Sequence, residues 1–189
     1  MEEKLKQHPA NCIKIVLFGP ESTGKTTLSK QLAEHYQTNW VPEFSREYLQ
    51  KKWDEERSIC EPKDIIPIAI GQMALENKRA SETDSVLICD TDLLETKVYS
   101  EVYFNGFSDP ILSKYANENS YNLYFLTYID TPWEPDDLRD KPNERKAMFK
   151  AFENALKSTN KPYLILKGNE KERFNFAVSQ IDKLIKTHK

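Results

Sequence analysis

The chain has 189 residues and a formal net charge of −3. Single domains commonly contain ~100–200 residues, so we expect residues 1–189 to form one domain. A slightly acidic chain offers no basic surface that would attract nucleic acid, and no apolar stretch approaches the ~20 residues of a membrane span. We therefore expect a cytoplasmic protein whose partner is neither a nucleic acid nor a membrane.

Five short apolar segments predict the strands of a sheet. They occupy residues 12–19, 38–43, 85–90, 121–130 and 162–168, and segments with helical character separate them. Continuous apolar runs of this length are typical of strands that helices cover on both faces. The alternation of strands and helices therefore indicates a parallel α/β sheet.

Three helices have recognisable starts. Asp64 is the expected N-cap of a helix over residues 64–80, and Pro67 falls in its first turn, where a missing N–H is tolerated. Asn143 is expected to cap a helix that precedes the fifth strand, and Asn169 to cap the last helix. The apolar residues that follow both asparagines recur at helical spacing, which indicates that each helix buries one face.

The segment GPESTGKT begins at Gly19, directly after the first strand and before a helix, and fits the P-loop pattern G-x-x-x-x-G-K-[ST]. Such a loop holds a triphosphate with main-chain N–H groups and a helix N-terminus. Glycine at positions 19 and 24 lets the main chain approach the phosphates. Lys25 is expected to reach the β- and γ-phosphates and Thr26 to coordinate Mg²⁺. Further nucleotide contacts are expected from Glu21, Ser22, Thr23, Gly24 and Thr27.

The third strand ends in Asp90, where this type of fold needs a second Mg²⁺ ligand. Asp92 follows two residues later, immediately before a helical segment. Capping of that helix is one role for Asp92, and it is compatible with a role in the site. The cysteines and histidines lack metal-ligand spacing, so Mg²⁺ bound with the nucleotide is the only metal we expect. The histidines His8, His35 and His188 also fall outside every candidate site segment, which disfavours a histidine general base.

Nothing in the chain favours guanine recognition. GTP-binding proteins of this class generally carry N-K-x-D, whereas the closest string here is NKPY, in which Tyr163 occupies the place of the carboxylate. ATP is therefore the expected phosphoryl donor, and a small kinase the expected class of enzyme.

The acceptor site is expected near the end of the second strand, because the carboxyl edge of a parallel sheet gathers ligands. Glu43 is the candidate to accept a hydrogen bond or a proton from a sugar hydroxyl, and Arg46 to contact a phosphate or a carbonyl group. The two residues share a helical face if a helix begins at Glu43. A solvated Glu–Arg pair is the alternative.

Residues 131–145 are rich in proline and charge and predict a surface lid. Arg139 and Arg145 are the candidates to neutralise the phosphoryl group during transfer, and a solvated charged loop is the alternative. Trp40 and Trp133 are candidates to stack on a planar ring of the acceptor, with packing as the alternative for each.

Together, the strings GPESTGKTTL, VPEFSREYL, IAIGQMALE, the segment from Cys89 to Gly106 and DTPWEPDDLRDKPNER resemble the bacterial nicotinamide riboside kinases, which are the ribosylnicotinamide kinase domains of bifunctional NAD-biosynthesis proteins. The resemblance extends from about Ile13 to Gly168. It implies a P-loop kinase fold with a mainly five-stranded parallel sheet and a mobile lid, and it implies ATP and Mg²⁺. The implied reaction phosphorylates the ribose 5′-hydroxyl of nicotinamide riboside and gives nicotinamide mononucleotide.

The resemblance also implies roles for individual residues. The P-loop role falls on residues 19–27, the Mg²⁺ role on Thr26 and Asp90, and acceptor contacts on Glu43, Arg46 and Asp92. Glu43 and Asp92 both remain candidates for the general base. Because only about a dozen residues precede the first strand, we expect neither the adenylyltransferase domain nor the helix-turn-helix of the longer relatives.

Two other functions stay open at this point. A deoxynucleoside or nucleoside monophosphate kinase shares the fold, the P-loop and an arginine-bearing lid, although acceptor phosphates would require more arginines than Arg46. A nucleotide-switched ATPase that controls a binding partner is the second alternative. The sequence leaves the oligomeric state open.

Overall fold

A computed structural model describes residues 2–139 and 141–187. Its described residues contain one five-stranded sheet in which every paired strand is parallel, with the order β2-β3-β1-β4-β5. The strands are β1 Ile13–Phe18, β2 Trp40–Val41, β3 Val86–Asp90, β4 Leu123–Thr127 and β5 Tyr163–Leu166. The α-helices are α1 Lys25–His35, α2 Phe44–Glu56, α3 Ile65–Ser81, α4 Leu93–Tyr103, α5 Pro110–Glu118, α6 Arg145–Ser158 and α7 Glu170–Thr187. The predicted α/β fold class is confirmed.

Helices cover the sheet on both faces and create two apolar layers. Alternate residues of β1 supply each layer: Ile15 and Leu17 pack with α1 and α7, whereas Val16 and Phe18 pack with α3, α4 and α6. The Phe18 ring meets Phe152 edge-on, with ring centroids 5.0 Å apart. Burial on both sides explains why the strand IKIVLF is nearly continuously apolar rather than alternating.

Several predicted elements differ in extent from those observed. β2 has only two residues and β4 only five, so both are shorter than the apolar segments that predicted them. Asn169 does cap α7, because its Oδ1 accepts the Glu172 N–H at 3.0 Å. Asn143 was wrong as a cap, since α6 begins after Glu144.

Asp64 immediately precedes α3, but its side chain does not cap the helix. Its carboxylate instead accepts the Lys52 ammonium at 2.6 Å and the Glu61 N–H at 2.8 Å. Asp64 is the N-cap residue of α3 as predicted, but no side-chain capping hydrogen bond forms because these two groups, one of them from the preceding helix, occupy the carboxylate.

All strands are parallel, so their carboxyl ends lie along one edge of the sheet. The P-loop follows β1, Glu43 follows β2, Asp90 ends β3 and Thr127 ends β4. The predicted lid, residues 131–145, contains no helix or strand in its described part before α6 begins at Arg145, and Asp140 lies outside the described residues. None of the helices in the described ranges is long and apolar enough to cross a lipid bilayer.

Candidate active site

The P-loop depends on glycine at the two positions that its pattern fixes. Gly19 has φ +142°, and a Cβ built there would lie 2.5 Å from Thr127 Oγ1 and 3.0 Å from the Thr127 carbonyl oxygen. Gly24 has φ +80°, a conformation that favours glycine, and it directly precedes α1. Thr23 Oγ1 lies 2.7 Å from Thr127 Oγ1 and ties the loop to the end of β4. The loop therefore leads into α1 with the helix N-terminus available to an anion.

The Lys25 ammonium contacts its own loop and one buried carboxylate. Nζ donates to the carbonyl oxygens of Gly19 at 2.6 Å and Pro20 at 3.1 Å. The Glu95 carboxylate lies 3.2 Å from Nζ through Oε1 and accepts the Gly19 N–H through Oε2, also at 3.2 Å. Glu95 therefore connects α4 to both ends of the phosphate-binding motif.

Negative charge surrounds this ammonium. Burial lowers the pKa of Lys25, but the charges of Glu95, Glu43 and Asp90 outweigh that effect and raise its pKa overall. Burial, reinforced by the charge of Glu43, raises the pKa of Asp90 to about 7, against the opposing effect of Lys25. A cluster with more carboxylates than ammonium groups favours a divalent cation as an additional positive charge.

Thr26 and Asp90 occupy the positions expected of Mg²⁺ ligands. Thr26 Oγ1 donates to Asp90 Oδ2 at 2.6 Å, and Asp90 Oδ1 is buried without a hydrogen-bond partner. Mg²⁺ prefers such oxygen ligands and usually takes one or two from the protein while phosphates and waters supply the rest. Within the described part of the chain, no group of three or more His, Cys, Asp and Glu residues forms a site by itself. The residues present therefore fit a magnesium ion that is bound together with a nucleotide.

Glu43 lies between β2 and α2, at the same edge of the sheet. Its Oε1 accepts the Ser45 hydroxyl at 2.6 Å, and its carboxylate is close enough to Lys25 and Asp90 to influence the pKa of both. Glu43 therefore lies at the predicted edge of the sheet, and its role toward an acceptor stays a prediction.

A single lid carboxylate holds two of the candidate arginines. Asp136 accepts hydrogen bonds from both terminal nitrogens of Arg46, at 3.2 and 2.6 Å. Its Oδ2 also lies 3.0 Å from Arg139 Nε. Arg139 also donates to the Glu134 carbonyl oxygen at 2.6 Å. Burial tends to raise the pKa of Asp136, but the hydrogen bond from Arg46 and the charges of both arginines lower it overall. These contacts fasten the lid to α2.

Arg145 fastens the lid to the P-loop. As the first residue of α6, it donates to the Thr131 carbonyl oxygen at 2.8 Å and to the Ser22 carbonyl oxygen at 3.2 Å. Its guanidinium carbon lies 5.8 Å from the centre of the Trp133 ring. Ser22 Oγ in turn accepts the Glu134 N–H at 2.8 Å. Trp133 is thereby brought beside the nucleotide-binding loop.

Asp92 is almost fully buried, with 1 % of its surface exposed. Its Oδ1 accepts the Glu95 N–H at 3.0 Å, and its Oδ2 accepts the Tyr124 hydroxyl at 2.7 Å. Burial raises the pKa of Asp92 to about 6. The capping role is confirmed, whereas contact with an acceptor stays a prediction.

The remaining predicted residues are more scattered. Trp40 belongs to the apolar layer under α1, where Lys30 Nζ lies 5.3 Å from its ring centre, and this placement favours the packing alternative. Glu21 Oε1 accepts the Lys141 N–H at 3.4 Å, which adds another link between lid and P-loop. Thr27 is exposed in the first turn of α1. His188 lies outside the described residues.

Two buried residues of this site were missed from the sequence. Glu95 lies three residues after Asp92, which is the spacing of a capping box, so the sequence suggests a structural role. In the structure, however, its carboxylate accepts the Gly19 N–H of the P-loop. Arg173, with 4 % of its surface exposed, donates to the Thr23 carbonyl oxygen at 2.7 Å and the Tyr128 carbonyl oxygen at 2.9 Å. Its signal is a basic residue near the N-terminus of α7, where the helix dipole disfavours positive charge.

Comparison with known proteins identifies a family and relatives that match most of this chain. A family model described as an AAA domain (AAA_28) matches residues 14–173. The trifunctional NAD biosynthesis/regulator protein NadR of Salmonella typhimurium is 26 % identical over 155 residues, which are 81 % of this chain and 38 % of that protein. NadR of Escherichia coli is 27 % identical over 125 residues, which are 66 % of this chain and 30 % of that protein. The chain therefore spans well under half the length of these relatives.

Solved structures agree on the fold. The crystal structure of a NadR protein in complex with NR superposes with a TM-score of 0.78 and 19 % identity, over 93 % of this chain and 52 % of that chain. A deoxyadenosine kinase from M. mycoides gives a TM-score of 0.67 and 16 % identity, over 90 % of this chain and 100 % of that chain. Identity at this level shows the fold alone. With most of its length matched by the family model, the chain belongs to the AAA_28 family of P-loop proteins and is homologous to NadR.

Proposed function

We propose that this protein transfers the γ-phosphoryl group of ATP to the ribose 5′-hydroxyl of nicotinamide riboside and so forms nicotinamide mononucleotide. Homology to NadR and the P-loop kinase fold support a nucleoside kinase in general. The observation that carries the proposal is the position of Glu43, whose carboxylate lies near Lys25 and Asp90 at the carboxyl edge of the sheet. A carboxylate at this edge of the sheet, whose charge acts on the lysine of the P-loop, is suited to orient a hydroxyl for attack.

In the proposed mechanism, main-chain N–H groups of the P-loop and the N-terminus of α1 hold the phosphates. Lys25 turns from the Gly19 carbonyl oxygen toward the β- and γ-phosphates, and Thr26 and Asp90 hold Mg²⁺. The bound Mg²⁺ supplies positive charge that neutralises the phosphate oxygens. Glu43 orients the acceptor hydroxyl and takes its proton.

Arg139 and Arg145 are the proposed lid groups for the charge on the transferring phosphoryl group. Arg145 already lies beside Ser22 of the P-loop, whereas Arg139 must exchange its contact with Asp136 for a phosphate. We therefore propose a lid that moves during the reaction, because charge-assisted contacts to phosphate replace those to a carboxylate.

The proposed acceptor carries a cationic pyridinium ring. Glu43 and Asp92 supply negative charge on the acceptor side in this proposal, and Trp133 is the proposed aromatic contact because indole faces attract cations. Arg46 is the proposed contact for the amide carbonyl or for the product phosphate. The cytoplasmic location inferred from the sequence stays a prediction.

Two alternatives have support of their own. The likeness in fold to a deoxyadenosine kinase supports phosphorylation of a deoxynucleoside. The family description as an AAA domain supports an ATPase that switches a binding partner. A nucleoside monophosphate kinase is less well supported, since an acceptor phosphate would require several arginines outside the lid and the sequence offers Arg46 as the clear candidate.

An ADP-release assay across candidate acceptors tests the proposal. With ATP and Mg²⁺, nicotinamide riboside should give a higher kcat/KM than deoxyadenosine, thymidine, cytidine or nucleoside monophosphates. A preference for any of these competitors would reassign the acceptor. ADP release at the same rate without any acceptor would favour the ATPase.

Glu43→Gln tests the role of the carboxylate. We expect kcat to fall by roughly 10²-fold, the scale of general-base effects, while ATP binding is retained. Glu47→Gln is the matched control, because Glu47 is an exposed residue in the first turn of the same helix. Equal kcat in the two variants would mean that Glu43 has no role in the reaction and belongs to a solvated Glu–Arg pair.

A further inference from the structure

One side chain of α3 holds the main chain on both sides of Glu43. Gln72 has only 2 % of its surface exposed, and its Oε1 accepts the Phe44 N–H at 2.8 Å. Its Nε2 donates to the Pro42 carbonyl oxygen at 3.3 Å. Both polar ends of the amide are therefore used by the two residues that flank Glu43.

The preceding residue of α3 allows this close approach. A Cβ built on Gly71 would lie 2.1 Å from Phe44 Cε1 and 2.3 Å from Cδ1, so the Phe44 ring packs directly against the helix backbone. Glycine is unfavourable in the middle of a helix unless the packing requires it. Gly71 and Gln72, which are adjacent in α3, therefore both contact the junction between β2 and α2, residues 42–44.

Besides Gln72, the buried side chain of Val41 and the Ser45 hydroxyl that donates to Glu43 support this junction. β2 contributes only two residues at the edge of the sheet, paired to β3 alone. Glu43 is the N-cap of α2, but its side chain makes no capping hydrogen bond. The first N–H groups of a helix have no partner within the helix, and that of Phe44 is satisfied by Gln72.

We propose that Gln72 is the positioning residue that fixes the Glu43 carboxylate, and that Gly71 provides the contact surface that makes this possible. The inference rests on the proposed function, in which Glu43 receives the acceptor proton. Reactions of this kind depend on orientation, and a displacement of ~1 Å can lower the rate by about 10²-fold. Neither of these two hydrogen bonds of Gln72 goes to the P-loop, so ATP binding should not depend on it.

Gln72→Met keeps the approximate size of the side chain and removes both hydrogen bonds. We expect kcat with nicotinamide riboside to fall by roughly 10- to 10²-fold while KM for ATP stays within about twofold. Asn119→Leu is the matched control: Asn119 is also buried and contacts α3 through Met73, but it lies near the amino end of β4, away from Glu43. This control is expected to lose stability without losing kcat.

Hydrogen exchange of the Phe44 amide gives a readout independent of activity. In Gln72→Met this amide should exchange at least tenfold faster, whereas amides in the middle of α3 keep their protection. Gln72→Glu should restore part of the protection and of kcat, because a carboxylate still accepts the Phe44 N–H. Gly71→Ala should lower kcat in the same direction, and together with Gln72→Glu it provides the test if Gln72→Met does not fold.

Two results would overturn the inference: unchanged exchange of the Phe44 amide in Gln72→Met, or the same kcat in Gln72→Met as in Asn119→Leu while Glu43→Gln is impaired. If Gln72→Met does not fold, wild-type kcat together with unchanged exchange of the Phe44 amide in Gly71→Ala overturns it. Failure of the proposed function looks different, since nicotinamide riboside would then not be phosphorylated or Glu43→Gln would be fully active. The exchange experiment still decides whether Gln72 holds the junction in that case.

Discussion

Glu95 shows how one buried carboxylate can set the charge of a phosphate-binding loop. It lies 3.2 Å from the Lys25 ammonium and accepts the Gly19 N–H, so it competes with an anion for both groups. Its charge is also the main contribution that raises the pKa of Lys25 against burial. Burial raises the pKa of Glu95 itself well above its usual range, and the charge of Lys25 opposes that rise, so the charge of each group depends on the other.

Glu95→Gln should bind ATP more tightly than the wild type in calorimetric titration. The amide still accepts the Gly19 N–H, but a negative charge beside the triphosphate is removed, and at the dielectric of a protein surface one unit charge within ~10 Å corresponds to about tenfold or more in Kd. Glu101→Gln, near the other end of α4 and in contact with Lys97, is the control and should change little. Weaker binding in Glu95→Gln would instead mean that Glu95 orients Lys25 for the phosphates.

The two P-loop glycines should tolerate alanine differently. Both have positive φ, so alanine costs roughly 1–2 kcal/mol of unfolding free energy at either position. At Gly24 nothing lies within 4 Å of an added Cβ, whereas at Gly19 it meets Thr127 at 2.5 Å. Gly19→Ala should therefore be the less stable variant, by a further ~1–3 kcal/mol for overpacking. Equal midpoints and slopes in urea unfolding would contradict the close contact with β4.

At the scale of elements, an ionic cluster joins α2 to the start of α3. Lys52, with 8 % of its side chain exposed, contacts Glu61 at 2.8 Å and Asp64 at 2.6 Å. Hydrogen bonds from Lys52 and Lys63 lower the pKa of Glu61 to about 2. Burial acts against a lower pKa for Asp64, but Lys52 and the Glu61 N–H lower it overall.

This cluster predicts a pH dependence of stability. Carboxyl groups with a lowered pKa in the folded state stabilise it above their unfolded pKa, near 4.5 for Glu61, and lose that contribution as the pH falls toward about 2. The wild type should therefore be more stable than Lys52→Met above this window, and the difference should shrink within it. Urea unfolding of both proteins across the window measures this. A difference that is constant with pH would mean that Lys52 acts through the packing of its aliphatic chain.

The sequence predicted these elements well where local signals decide them. The strand over β1 and the Asn169 cap of α7 follow from apolar runs and capping chemistry within a few residues. Asp64 occupies the predicted N-cap position but makes no capping hydrogen bond, because a side chain twelve positions earlier, Lys52, binds its carboxylate. Such competition depends on how α2 and α3 pack, which no local pattern encodes.

At the scale of the whole molecule, topology assembles the site. The P-loop motif and the strand that ends in Asp90 could be placed together from the sequence, because parallel strands bring their carboxyl ends to one edge. Gln72 and Arg173 could not, since Gln72 lies in the middle of α3 and Arg173 in the first turn of α7, and the sequences of both helices look structural. Arg173 connects α7 to the P-loop through the Thr23 carbonyl oxygen, which makes the nucleotide site part of the global fold.

A nucleotide held by several elements of the fold should stabilise the whole chain. At a ligand concentration 100 times Kd, binding adds about 2.7 kcal/mol to the free energy of unfolding. ATP with Mg²⁺ should therefore stabilise the protein more than ATP with EDTA at the same concentration. In Asp90→Asn the Mg²⁺-dependent part should shrink while the part due to ATP alone remains, and in Lys25→Ala both parts should shrink. Asp90 Oδ1 is buried without a hydrogen-bond partner and is the atom expected to bind the cation. Equal stabilisation of Asp90→Asn and the wild type by ATP and Mg²⁺ would therefore show that Asp90 does not bind Mg²⁺.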